Sequence, residues 1–180
     1  FIKLIIKNAL YLGLTDIPNE RSSHTKITPR GAGIGFGFSF FISILIFEFS
    51  LFLEYWIVFL AIFMVFLVGI LDDHKDASPR AKFYVIFLAT FLLFLDDISI
   101  YSLGVFLGFD LKLSYLALPF TMFALAGFTN ALNLIDGLDG LAGTISLVIL
   151  STFLYIGYIN DDNLIVTLCL FSMTSVLAFL

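Results

Sequence analysis

Three short stretches of the chain concentrate the side chains able to do chemistry. In L-D-D-H-K-D-A-S-P-R, residues 71–80, the carboxylates Asp72, Asp73 and Asp76 fall close together. In N-A-L-N-L-I-D-G-L-D-G-L, residues 130–141, the amides Asn130 and Asn133 and the carboxylates Asp136 and Asp139 recur every third position. The stretch D-I-P-N-E-R-S-S-H-T-K-I-T-P-R-G-A-G, residues 16–33, carries Arg21, His24, Lys26 and Arg30. Asp72 and Asp73 close an apolar run at its C-terminal end, where a helix dipole is already negative and adjacent like charges repel. A bound divalent cation relieves both problems, and Mg²⁺ is the natural one because it takes carboxylates together with substrate phosphates. Asp136 and Asp139 would share a helix face. Gly137 and Gly140 point instead to a tight turn into the next helix, with backbone N–H groups able to meet an anion. Arg21, His24, Lys26 and Arg30 would suit a nucleotide or lipid phosphate, and His24 titrates near neutrality. Each stretch also has a plainer reading. The acidic loop could be solvated, with Lys75, Arg80 and Lys82 as counter-ions; the Asp–Gly turn could be a capped helix start; and basic residues belong on cytoplasmic loops in any case. Gly31, Gly33, Gly35 and Gly37 make two G-x-x-x-G pairs, which favour helix packing over a phosphate loop that would need G-x-x-x-x-G-K-[ST].

The elements that position these residues follow from composition. Hydrophobic residues make up 61% of the chain and charged ones 13%, with a mean hydropathy of +1.09. Soluble domains sit nearer half and a quarter. Disorder is excluded by this apolarity. A disulfide scaffold is excluded because Cys169 is the only cysteine, and it reads as a small packing residue. A basic nucleic-acid binder is excluded by the net charge of −5. An all-α polytopic membrane protein remains. Spans of about 20 apolar residues are expected at 1–14, 32–50, 52–71, 79–95, 114–131, 140–159 and 163–180, seven in all. Between them lie polar breaks at 15–30, 72–78, 96–113, 132–139 and 160–162, and a turn around Glu48 to Glu54. If each run crosses once, loops 15–30, 72–78 and 132–139 share one side. That side holds Arg21, Lys26, Arg30, Lys75, Arg80 and Lys82, while the other holds Lys112 and seven carboxylates: Glu48, Glu54, Asp96, Asp97, Asp110, Asp161 and Asp162. The excess of positive charge makes the first side cytoplasmic, and Lys3 and Lys7 can snorkel toward it. Ser78-Pro79 reads as a cap followed by the first helical residue. Pro119 should kink the fifth run. Alternation over 109–114 suggests a short strand on the outer surface. A start at Phe1 without Met and an end at Leu180, both inside apolar runs, read as cut ends of a single transmembrane catalytic domain over 1–180.

The strings D-x-P-N-E-R-S-S-H with T-P-R-G-A-G-I, G-I-L-D-D-H-K-D-A-S-P and N-A-L-N-L-I-D-G-L-D-G-L-A-G, in this order and separation, resemble the polyprenyl-phosphate N-acetylhexosamine-1-phosphate transferases, or glycosyltransferase family 4. The wording of the first string is more similar to the branch that initiates O-antigen synthesis than to the pentapeptide branch. The resemblance implies a multi-pass enzyme of the bacterial inner membrane with about ten or eleven helices, of which this chain is a fragment, its active site facing the cytoplasm. Such enzymes move a sugar-1-phosphate from a UDP-sugar to polyprenyl phosphate, release UMP, use Mg²⁺ and initiate cell-envelope polysaccharides. It further implies that Asp72 and Asp73 are the first acidic pair of the active site and that Asn133, Asp136 and Asp139 form the second acidic motif. Metal contacts would come from Asp72, Asn133 and Asp136. Gly137, Leu138 and Asp139 would lie near the uracil, with Lys26, Arg30, His24 and Asn130 as further substrate contacts. The family's later Asp motif and His-rich loop have no counterpart in these residues, as a fragment would explain.

The implied reaction is attack of the lipid phosphate oxygen on the β-phosphorus of the UDP-sugar, with Asp73 orienting or deprotonating the lipid phosphate. A covalent phospho-sugar intermediate on an Asp is the competing route. The partners would be a UDP-N-acetyl sugar, polyprenyl phosphate and membrane lipid, with no nucleic acid and with room for a homodimer. Two rival readings are an intramembrane prenyltransferase holding a Mg-bound prenyl diphosphate and a cation-coupled transporter. The first would favour D-x-x-x-D spacing, one residue wider than Asp136 to Asp139. The second would place its carboxylates near the bilayer midplane rather than at loop ends. In the full-length protein, Asp73→Asn is expected to abolish UMP release while membrane insertion stays intact. Glu54→Gln, on the opposite side, is expected to leave turnover almost unchanged; a large loss there would overturn the topology.

Overall fold

The computed structural model describes residues 11, 15–16, 28–29, 32–75, 78–135, 140–178 and 180, and it is mostly helical. The helices are α1 Ala32–Phe47, α2 Phe49–Glu54, α3 Trp56–Lys75, α4 Pro79–Leu95, α5 Ala117–Ile135, α6 Leu141–Ile159 and α7 Asn163–Leu177. Two antiparallel pairs accompany them: β1 Thr15–Asp16 with β2 Thr28–Pro29, and β3 Ser102–Phe106 with β4 Phe109–Lys112. The chain divides into two compact units, one of residues 1–54, 73–75 and 134–180, the other of residues 55–72 and 76–133.

In the first unit, α6 and α7 form a hairpin and α1 packs on α7. The Asp162 carboxylate caps α7 by accepting from the Ile165 N–H at 3.0 Å. Gly140, with φ of 76°, starts α6 from the left-handed region that glycine tolerates, which fits the tight turn expected there. Close approach within the hairpin depends on Gly157, where a Cβ would lie 2.8 Å from Ile165 Cγ2. Phe47 of α1 stacks on Phe171 of α7 at 6.4 Å between ring centroids. Cys169 is buried on α7, the packing role expected of it.

The second unit holds most of α3, all of α4, the β3–β4 hairpin and all but the last two residues of α5. Val58, Phe59 and Ala61 of α3, Ile86, Ala89 and Thr90 of α4, and Thr121 and Ala126 of α5 are buried. The buried hydroxyls are satisfied within their own helices, Thr90 Oγ1 donating to Ile86 O and Thr121 Oγ1 to Ala117 O, both at 2.7 Å. Ser39, Thr129, Ser151 and Thr152 do the same toward the carbonyl four residues back. Such back-bonding is how polar side chains persist in apolar helices.

Among the described residues, three helices are long and apolar enough to cross a membrane: Trp56–His74, Ser114–Ile135 and Leu141–Ile159. Gly33–Phe47 and Asn163–Leu177 are shorter apolar helices, so the runs at 32–50 and 163–180 are only partly realised as single helices; the run at 79–95 forms α4, which at 17 residues is not among the three; and 1–14 lies outside the described residues. At 1.5 Å per residue a helix of about 16 residues reaches about 24 Å, short of the roughly 30 Å hydrocarbon core. The expected turn at Glu48 to Glu54 is instead mostly helix. Glu48 N–H donates to Ile44 O and Phe52 N–H to Glu48 O, and the chain breaks at Tyr55. Pro119 does not interrupt a helix interior as expected. α5 begins at Ala117 after a 3₁₀ turn at Ser114–Leu116, so Pro119 lies in the first turn, where an N–H has no intrahelical partner to lose. The breaks at 72–78 and 132–139 are shorter than expected, because α3 runs to Lys75 and α5 to Ile135. The start at Ser78-Pro79 is realised, Ser78 Oγ accepting from the Ala81 N–H at 3.3 Å. Of the strand expected at 109–114, Phe109–Lys112 is observed as β4, paired with β3, a partner the alternation pattern did not reveal.

Gly157→Val is expected to lower the thermal unfolding midpoint in detergent by the equivalent of about 1–3 kcal/mol, the usual range for overpacking. Gly127→Ala, with nothing within 4 Å of its added Cβ, is expected to leave the midpoint unchanged or raise it.

Candidate active site

Asp72 stands in the last turn of α3 because that helix continues past its apolar run to Lys75. Lys82 stands in the first turns of α4 because Ser78 and Pro79 start that helix four residues earlier. The two side chains meet: Lys82 Nζ donates to Asp72 Oδ2 at 2.5 Å, with the side chains 33% and 25% exposed. Asn130 and Asn133 come from the last turns of α5, one helical turn apart. These four residues, with Thr129, line one end of a cavity of about 320 Å³ whose other walls include Val65, Val68, Phe83 and Ile86. An adjoining cavity shares Val65, Ile86 and Thr129 and is otherwise apolar apart from Thr90, with Ala61, Ile62, Leu93 and Leu125 on its walls. The site is therefore polar at the end where α3 stops and α4 starts, and hydrocarbon-lined toward the middle of the helices.

The pairing is electrostatically consequential. A half-buried carboxylate beside apolar helices is costly alone, and an ammonium within hydrogen-bond reach offsets that cost. The pair and the amides give the cavity both an acceptor for a cation and donors for an anion. A carboxylate and side-chain amide oxygens are hard donors of the kind Mg²⁺ takes, so the donor set fits that ion in kind. Among the described residues, no group of three or more His, Cys, Asp or Glu is placed to hold a metal. Any such site would need a donor from beyond them.

Of the residues singled out from sequence, the structure brings together Asp72, Asn130 and Asn133. Asp73 follows Asp72 in the same turn, half-buried and about 100° further round the helix. His24, Lys26, Arg30, Asp136, Gly137, Leu138 and Asp139 lie outside the described residues. Lys82 and Thr129 were missed as site residues. Lys82 had been read only as a counter-ion and a topology marker, yet its place one turn after Ser78-Pro79 and ten residues after Asp72 is the signal that could have found it.

The Glycosyl transferase family 4 profile matches residues 55–180, the stretch that carries this cavity. The chain belongs to that family. Among its relatives, a protein of Bacillus subtilis named "Probable undecaprenyl-phosphate N-acetylglucosaminyl 1-phosphate transferase" is 30% identical over 98% of the chain and 50% of its own length. A "Phospho-N-acetylmuramoyl-pentapeptide-transferase" of Listeria monocytogenes is 26% identical over all of the chain and 60% of its own length. One of the same name from Staphylococcus epidermidis is 37% identical over 42% of the chain and 23% of its own length. The chain thus spans about half to three-fifths of the length of the relatives that match it throughout. No solved structure matches it. As a member of Glycosyl transferase family 4 it is kin to phospho-sugar transferases, and its apolar helices are those of a membrane protein.

Lys82→Met would leave the Asp72 carboxylate half-buried and unpaired. It is expected to lower the thermal midpoint by the equivalent of about 1 kcal/mol, since partial exposure screens the pair. The double variant Asp72→Asn/Lys82→Met is expected to recover most of that loss. Equal midpoints for the single and double variants would show that the two charges are not coupled.

Proposed function

We propose that the protein to which this chain belongs transfers an N-acetylhexosamine-1-phosphate from a UDP-sugar to polyprenyl phosphate, releasing UMP, with Mg²⁺ as cofactor. The observation that carries the reading is the cavity in which Asp72, Lys82, Asn130 and Asn133 converge at the end of three apolar helices. Family membership ranks this reading above the prenyltransferase and the transporter. The relative matching 98% of the chain has N-acetylglucosaminyl in its name, which makes UDP-N-acetylglucosamine the first donor to try. In this reading the seven apolar runs all cross the bacterial inner membrane, loops 15–30, 72–78 and 132–139 face the cytoplasm, and the product initiates a cell-envelope polysaccharide such as an O-antigen.

The chemistry follows from the charges. Both reactants are anionic, so positioning and neutralisation dominate over covalent assistance. At about 320 Å³ the cavity is at the small end of ligand sites, with room for a phosphate-bearing head group rather than a whole nucleotide sugar. Lys82 holds a phosphate by its ammonium once Asp72 is engaged elsewhere. Asn130 and Asn133 orient oxygens by their amides. Asp73 orients the lipid phosphate, whose oxygen attacks the β-phosphorus while the bond to the UMP oxygen breaks and UMP leaves. Asp72, Asn133 and Asp136 would hold Mg²⁺, which when bound neutralises charge on the diphosphate. The apolar cavity beside the site offers the first isoprene units a path along α3, α4 and α5.

Purified full-length protein is expected to release UMP from UDP-N-acetylglucosamine, or from another UDP-N-acetyl sugar in a panel, only when polyprenyl phosphate and Mg²⁺ are both present. EDTA should stop the release and added Mg²⁺ restore it. Folded, full-length protein that releases no UMP with any sugar would overturn the proposal.

A further inference from the structure

The β3–β4 hairpin joins α4 to α5 at the end of α4 opposite to Lys82. Its base is fastened to both helices. The ring of Tyr101 lies 6.5 Å from that of Phe94 in α4, and Leu113 N–H donates to Tyr101 O at 2.8 Å. Thr121 of α5 has one hydroxyl proton, which goes to Ala117 O. Its oxygen therefore accepts from Ile100 N–H at 3.0 Å and from the Ser99 hydroxyl at 2.8 Å. With α4 and α5 taken as membrane spans, a hairpin fixed in this way to their ends would sit at the depth where hydrocarbon gives way to water.

Polarity is sorted across the hairpin. Opposite Val105, the Asp110 carboxylate accepts from the Ser102 hydroxyl, and Lys112 Nζ lies 3.9 Å from the same group with its side chain 74% exposed. At the tip, Val105, Phe106, Leu107 and Phe109 are 74%, 65%, 83% and 75% exposed. Phe106 and Phe109 are cross-strand partners on one face, while Val105, paired with Asp110, points to the other. Val105's face also carries its cross-strand partner Asp110 and, two residues on, Lys112, as a wet face does; the Phe106–Phe109 face and the turn are apolar. The turn itself runs through Leu107 at φ of 51° and Gly108 at φ of 85°. Asn-Gly is the usual choice for such a turn, so a fully presented leucine is held where leucine is a poor fit. An apolar environment against the Phe106–Phe109 face and the turn accounts for the exposed rings and the leucine.

We propose that the β3–β4 tip is a lipid anchor, with Phe106, Leu107 and Phe109 inserted into the leaflet at that end of α4 and α5 and Lys112 set among the lipid phosphates. The proposal rests on α4 and α5 as membrane spans but not on the reaction catalysed. The full-length protein, with Cys169 and any other cysteine replaced, is reconstituted in nanodiscs of phosphatidylethanolamine and phosphatidylglycerol, and the environment-sensitive fluorophore NBD is attached at Leu107→Cys, Phe109→Cys or Lys112→Cys. Emission at positions 107 and 109 is expected to be blue-shifted and quenched by shallow nitroxide-labelled lipid at least about twofold more deeply than at position 112. Water-like emission at 107 and 109 would overturn the proposal. So would blue-shifted emission that labelled lipid does not quench, since the tip would then be covered by protein. Both reporters sit on exposed side chains, and retained thermal midpoints confirm that the fold is intact.

Discussion

Asp72 and Lys82 each sit at the unfavourable end of their own helix. The carboxylate lies in the last turn of α3, where the dipole is negative, and the ammonium near the start of α4, where it is positive. Each placement alone opposes stability by a few tenths to about 1 kcal/mol, and partial burial against apolar neighbours adds to that. The contact between the two groups offsets both. Exchanging the two side chains would suit both dipoles, so stability alone does not explain the order. The order makes sense if the carboxylate is there to take a cation and the ammonium an anion.

The apolar helices impose the rest. A helix that must stay among hydrocarbon can carry charge only near its ends, so chemistry is confined to the caps. The end where α3 stops and α4 starts collects the carboxylate, lysine and amides. The far end collects the hairpin, with one face bearing Asp110 and Lys112 and an apolar turn and opposite face. Hydroxyls in between are turned back onto their own backbone, as at Thr90 and Thr129, which leaves α3, α4 and α5 chemically quiet along their length. The cavity between them is therefore a largely apolar space opening toward a charged mouth.

Much of this is legible in the residues. Apolar run length located the helices, because in this composition nothing competes with hydrophobicity as a signal. Ser78-Pro79 marked the start of α4, since a capping hydroxyl followed by a fixed φ has few other uses. The three-residue spacing of Asn130 and Asn133 correctly placed both on one side of their segment. What failed did so for identifiable reasons. Polar residues were taken to end helices, but Asp72, Asp73 and Asn133 sit inside last turns, where side chains can reach water without the backbone unwinding. Glu48 does separate α1 from α2 as expected, but Phe49–Glu54 after it is helix rather than turn. Pro119 was judged by its place in the apolar run, whereas its effect depends on its place in the helix. The strand Ser102–Phe106 escaped notice because its own apolar and polar residues do not alternate.

Lys82 is the instructive omission. In a membrane protein every basic residue near a span end is already explained by topology, and that explanation hid a specific one. The two readings make different demands. A topology marker needs only charge on the correct side of the membrane and tolerates any rotamer or a shift of a residue along the helix. A partner for Asp72 must sit on the face of α4 that looks toward α3, and Lys82 does, whereas Arg80, two residues earlier and about 200° round the helix, is exposed and pairs with no described carboxylate. Moving the lysine by one residue would keep the positive charge on the same side and remove it from the cavity. The reading of Lys82 as part of the site therefore rests on its angular position rather than on its charge, the one property that composition and loop counting cannot register.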